Sequence, residues 1–165
     1  MPKVNPSRAA KQIGDFGEAL VNYDFIRKGY EVAVVDHVGA DLICSKDGTD
    51  GTKKRYAISV KTRRFKNASD ESRMYNIESA HLDKLRYFSD SFGLEPLFSL
   101  LVCISDDKKL ILFTVRVVDI PSCFRKTKAG YSFRFSDKHL VSLKNDPNIS
   151  ISLWENEVIG NDIFA

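Results

Sequence analysis

The sequence predicts an α/β (α+β) chain with a mixed central β-sheet flanked by helices. Three observations lead there. Helix-periodic and strand-like segments follow one another as helix, three strands, helix, two strands and a smaller tail. Two of the strands, 97–104 and 110–118, are apolar almost throughout, as strands covered on both faces are. A length of 165 residues, with 43% hydrophobic and 28% charged residues, suits one domain with a sizeable core and excludes a disordered or fibrous chain.

Residues 1–7 hold two prolines and read as a leader. A helix follows from Ser7 or Arg8 to about Lys28, with Ile13, Phe16, Leu20 and Tyr23 on one apolar stripe and Ala9, Ala19 and Ile26 beside it. Gly29 stops it. Residues 31–35 are a β-branched strand, His37-Val38-Gly39 a turn and 40–44 a second strand, hairpin-paired with the first. The polar cluster 47–52 turns the chain into a third strand, 56–62. Polar residues surround 74–77. A second helix spans Glu78 to about Ser91, with Ala80 or His81, Leu82, Leu85 and Phe88 or Tyr87 inward. Asp106-Asp107 turns between the two apolar strands. In the tail, 131–135 alternates like a strand, 137–143 suits a short helix and 149–154 a last strand.

Several function classes are set aside by what the sequence lacks. Cys44, Cys103 and Cys123 are odd in number and have no zinc-type spacing. The first residues have no apolar stretch behind them, and no apolar run nears the ~18 residues that span a bilayer. The expectation is a reduced, soluble, cytoplasmic protein without a membrane partner.

Charge is unevenly placed. The formal net charge is +3, but residues 1–66 carry 13 basic and 8 acidic side chains, and the remainder 12 and 14. Lys53, Lys54, Arg55, Lys61, Arg63, Arg64 and Lys66 lie within 14 residues that contain no acid. Clustered base attracts phosphates through counterion release, so this segment is the candidate nucleic-acid surface; a solvated loop rim is the plainer reading.

The third strand passes through that cluster. Its alternation sets Tyr56, Ile58 and Val60 on the core face and Ala57, Ser59 and Lys61 on the other. Asp41, on the strand before it, can come within a few ångströms of Lys61. Glu18 lies off the apolar stripe of the first helix, after Gly14 and Gly17, which would let that helix approach the sheet. Two carboxylates hold a hard cation such as Mg²⁺, which activates water and stabilises charge developing on a phosphodiester; a lysine orients the water or neutralises phosphate. An Asp–Lys pair by itself serves equally as a salt bridge. His37 and His81 are lone histidines, and His81 reads as helix surface or core edge rather than a general base. Phe133, Phe135 and Trp154 read as packing residues, and Cys103 as core.

The order of these residues resembles the PD-(D/E)XK nucleases, most closely the archaeal Holliday-junction resolvases and their bacterial relatives. Gly14-Asp15-Phe16-Gly17-Glu18 is similar to the first-helix motif, a glycine followed by a glutamate. Gly39-Ala40-Asp41-Leu42-Ile43 is similar to the G-x-D strand whose aspartate binds metal, and Ser59-Val60-Lys61 stands in the place of E-x-K. Residues 82–88 resemble the helix after the catalytic strand, and 93–97 the lead into the next strand. The resemblance runs over about 11–118. It implies a restriction-endonuclease-like sheet, a nuclease-like core over 8–118 with 119–165 as a C-terminal extension of the same domain, Mg²⁺- or Mn²⁺-dependent hydrolysis of DNA phosphodiesters in branched or duplex DNA, and often a homodimer. On this resemblance Glu18 and Asp41 hold the metal, Glu18, Asp41, Ser59 and Lys61 form the catalytic set, and Arg63, Arg64, Lys66, Lys53, Lys54 and Arg55 hold nucleic acid.

One position departs from the pattern: Ser59 replaces the glutamate of E-x-K, and a neutral hydroxyl is a poor ligand for a hard cation. Either Glu18 and Asp41 suffice, or Glu78 at the start of the second helix substitutes, or the fold keeps nucleic-acid binding and has lost cutting. A protein-interaction domain is a third reading.

Overall fold

The computed structural model describes residues 6–66, 74–106 and 108–155; most of the expected leader and Asp107 of the expected turn lie outside them. Helix α1 (Pro6–Arg27) leads into β1 (Glu31–His37), β2 (Ala40–Asp47) and β3 (Lys53–Phe65). A crossover of β4 (Met74–Glu78) and α2 (Ser79–Phe92) then reaches β5 (Glu95–Ile104), followed by β6 (Lys109–Arg116). The tail holds α3 (Ile120–Cys123), β7 (Arg125–Lys126), β8 (Gly130–Arg134), α4 (Asp137–Lys144) and β9 (Ile149–Trp154).

Six strands form the central sheet in the order β1-β2-β3-β5-β6-β9. All neighbours are antiparallel except β3 and β5, which run parallel from Tyr56↔Glu95 to Phe65↔Ile104. The fold is thus the predicted mixed α/β sheet flanked by helices. A second sheet, β4-β8-β7, was not foreseen: 74–77, set among polar residues, is a strand in which Ile77 is buried in the cluster that holds Phe133.

Apolar side chains cover both faces of the central sheet. On one side Leu20, Val21 and Phe25 of α1 meet Leu42, Ile58, Val60, Leu101 and Leu112. On the other, Leu82, Leu85 and Phe88 of α2, with Phe133 and Phe135, meet Ala57, Phe98, Leu100, Val102 and Phe113. The face of β3 that carries Ala57 and Ser59 is therefore buried too, Ser59 being 1% exposed, and is not the open face the alternation suggested. Near-continuous apolar runs in β5 and β6 are the direct cause, since each face needs its own cover.

Two helices differ from expectation in rotation. In α1 the inward residues are Gly17, Leu20, Val21, Asp24 and Phe25, whereas Phe16 and Ile26 are exposed. A Cβ on Gly17 would overlap the Thr62 hydroxyl of β3, so the helix backbone rests on the strand there and the contact face centres on 17. Gly14 has open space around it and plays no such part. In α2 Phe88 is buried and Tyr87 is exposed. Strand β6 stops at Arg116, and Val118 is exposed.

Candidate active site

Three elements bring the site together at one end of the β2–β3 pair. The first is the turn before β2. Gly39 has φ +115°, and a Cβ there would lie 2.6 Å from the Lys84 carbonyl oxygen of α2. Glycine thus lets α2 settle against the turn, and the next residue but one, Asp41, is delivered to the site side of the sheet. Asp41 Oδ2 accepts the Val60 backbone N–H at 2.6 Å and the Ser59 hydroxyl at 3.3 Å. Those bonds fix the carboxylate and leave Oδ1 for a cation.

The second element is α1. Its close seat on Thr62 puts Glu18, one residue on, beside β3. The Glu18 carboxyl is held above its ordinary range, first by burial, then by the charges of Asp41 and Asp15, while Lys61 and Lys11 pull it down. The two carboxylates oppose each other's charge, with Lys61 acting on Glu18, and as a pair they would suit a hard divalent ion. Mg²⁺ would suit such a pair, since it is bound through one or two carboxylates and retains waters. Among the described residues no group of three acid, histidine or cysteine side chains is placed to hold a metal, so Glu18 and Asp41 would hold it as a pair.

The third element is α2, which contributes a residue that sequence reasoning set aside. His81 Nε2 is 2.8 Å from Ser59 Oγ. A serine hydroxyl has one proton; with Asp41 accepting it, the His81 Nε2–H donates to Ser59. Asp41, Ser59 and His81 thus form a chain of hydrogen bonds. Burial, and secondly Lys61, hold the His81 imidazole below its ordinary range, with Asp41 opposing them. The signal was present in the sequence. His81 precedes Leu85 and Phe88 by four and seven residues, so it shares their inward face, and Ser59 looks toward α2 from β3.

The remaining predicted residues separate into two groups. Arg63 and Arg64 follow Lys61 on β3 and stay exposed. Arg63 lies over the Tyr75 ring at 4.7 Å, and Arg64 Nε donates to Ser105 Oγ at 2.8 Å. Lys66 is exposed just past the strand. Lys53, Lys54 and Arg55 are at the other end of β3, paired across from Asp47, Lys46 and Ser45. Six or more extended residues separate them from Lys61, roughly 20 Å or more, so the sequence cluster is two clusters in space. Glu78 is exposed at the N-cap of α2 and acts on His81 only through its charge. Trp154, Phe133 and Phe135 are buried, as expected. Burial pushes the Cys44 thiol up to about 12, which removes it as a nucleophile at neutral pH.

No family model matches the chain, and no curated protein matches it. Its fold does match solved structures. The chain folds like a resolvase. A Holliday junction resolvase, Hjc, from the archaeal hyperthermophile Archaeoglobus fulgidus superposes with a TM-score of 0.52 over 78% of this chain and 95% of that one, at 14% sequence identity. At that identity the likeness concerns the fold. No helix among the described residues is long and apolar enough to cross a membrane.

Proposed function

We propose that the chain is a metal-dependent endonuclease acting on DNA phosphodiesters, branched or duplex. One observation supports this reading: Asp41 from β2 and Lys61 from β3 both act on Glu18 from α1 and on His81 from α2, at one end of a sheet whose fold is shared with a Holliday junction resolvase. Glu18 and Asp41 would hold Mg²⁺ or Mn²⁺. Bound there, such an ion supplies Lewis-acid stabilisation and a more acidic water. Lys61 neutralises a phosphate oxygen or orients the water. Ser59 and His81 fix Asp41. Arg63, Arg64 and Lys66 hold phosphates on either side. DNA and a second copy of the chain are the partners that the resemblance implies. The test is cleavage of supercoiled plasmid and four-way junctions in Mg²⁺ and in Mn²⁺. Asp41→Ala and Lys61→Ala should each lower the rate by at least about 100-fold; unchanged rates in both would overturn the reading.

A second reading is favoured by Ser59. Its hydroxyl is fully engaged by Asp41 and His81, so the site contributes one carboxylate fewer than the E-x-K pattern. A nucleic-acid-binding module without cutting follows if two carboxylates do not retain the ion. Ser59→Glu separates the two: cutting that appears only in this variant favours the second reading, and cutting by the unaltered chain excludes it.

A further inference from the structure

A cleft of about 330 Å³ opens between the β7–β8 hairpin and α4, in the part of the chain that the candidate active site does not use. Register builds its charged wall. Arg125 of β7 pairs directly with Ser132 of β8, and Arg134 follows Ser132 by two residues, on the same face of the strand. All three line the cleft, with His139 of α4. Among the described residues neither arginine is in an ion pair. His139 Nδ1 is 2.7 Å from Ser136 Oγ, which fixes the ring and leaves Nε2 free. Asp146 and Asp119 act on Cys123 in the lining, and Asp137 opens α4 two residues before His139.

Ser132 is the decisive residue. It is 7% exposed, and its hydroxyl has no hydrogen-bond partner. A buried hydroxyl left unpaired costs about 1–3 kcal/mol, and here its residue lines a cleft together with two arginines outside any ion pair among the described residues. Such an arrangement is satisfied by an anion with several acceptor oxygens. Guanidinium forks match phosphate bidentately, and a phosphate monoester has three terminal oxygens for two arginines, a hydroxyl and an imidazole. The volume exceeds that of phosphate alone and falls at the small end of the roughly 300–1,000 Å³ range of small-molecule sites. Phe124 and Phe133 supply an apolar floor.

The geometry points to a second site on this chain, a binding site for a nucleotide-sized phosphate monoester: a free nucleoside monophosphate or the terminal phosphate of a nucleic-acid strand. It shares no residue with the candidate active site and does not depend on the nuclease reading.

The experiment is NMR titration of ¹⁵N-labelled full chain with deoxyadenosine monophosphate, deoxyadenosine, inorganic phosphate, and a nicked duplex with and without a 5′-phosphate at the nick. The proposal expects amide shifts at Ser132, Arg134 and His139 that require the phosphate. It also expects at least a tenfold weaker Kd in Arg125→Gln/Arg134→Gln and an intermediate loss in Ser132→Ala. Saturation by deoxyadenosine monophosphate identifies a free nucleotide; response to the 5′-phosphorylated nick alone identifies a strand end. Asp41→Ala should leave these titrations unchanged, so failure here and failure of the nuclease reading are distinguishable. Absence of shifts at these residues with every probe, or an unchanged Kd in the double variant, overturns the proposal.

Discussion

Ser59 and His81 show how much one side chain depends on its surroundings. A serine in this place looks like the loss of a ligand. In the fold it is the middle of a hydrogen-bond chain that orients Asp41. Neutral His81 is the form the fold prefers, because burial and Lys61 both oppose its charge. Its folded pKa lies below the unfolded value of about 6.5, so the stability it contributes is present above that pH and is lost as pH falls below it. Melting in EDTA between about pH 7 and pH 6 should therefore show a falling Tm in the unaltered chain and a flatter profile in His81→Gln. Equal slopes would show that the imidazole does not sense this environment. Glu18 has the opposite sign: burial and the charges of Asp41 and Asp15 raise its carboxyl, so the stability it contributes when protonated is lost as pH rises.

At the scale of elements, α1 is held by one buried carboxylate as well as by its apolar face. Asp24 is 1% exposed; it accepts from Lys28 Nζ at 2.6 Å and from Ser152 Oγ of β9 at 2.9 Å. The bond to Ser152 ties the C-terminal end of the helix to the last strand of the sheet. Lys28 remains partly exposed and can rehydrate, but the Ser152 hydroxyl would lose its acceptor. Asp24→Ala should cost about 1.5–3 kcal/mol in urea unfolding, with Asp24→Asn losing less. A cost near zero would mean that solvent already competes for the pair. Because α1 also carries Glu18, the same substitution should weaken metal binding only through the fold.

Across the whole molecule, positive charge is grouped by strand length rather than by sequence distance. Arg63, Arg64 and Lys66 share an end of β3 with Lys61, and Lys53, Lys54 and Arg55 occupy the other. DNA held at the candidate site should feel the first group. Arg63→Ala/Arg64→Ala should lower the slope of log K against log salt by about 2, with weaker binding to every sequence. Lys53→Ala/Lys54→Ala should change it by much less. Fluorescence anisotropy over a salt series decides this, and equal effects from the two pairs would mean that DNA lies along the entire strand.

What the sequence determined by itself was whatever is written in local periodicity. Every helix and strand of the central sheet was legible, because β5 and β6 are apolar on both faces and α2 repeats at helical spacing. The strand positions of Asp41 and Lys61 were legible because short motifs mark them. The remainder depended on contacts between segments distant in the chain. The rotation of α1 was decided by the seating of Gly17 on Thr62 and the pull on Asp24, neither of which a moment along one helix contains. The second sheet was decided by pairing of 74–78 with 130–134, a partnership that a short stretch set among polar residues does not announce. The place of His81 beside Ser59, the division of the basic cluster and the unpaired Ser132 hydroxyl are likewise facts of packing. Local sequence specifies which way a side chain faces from its own element; only tertiary structure specifies what it faces.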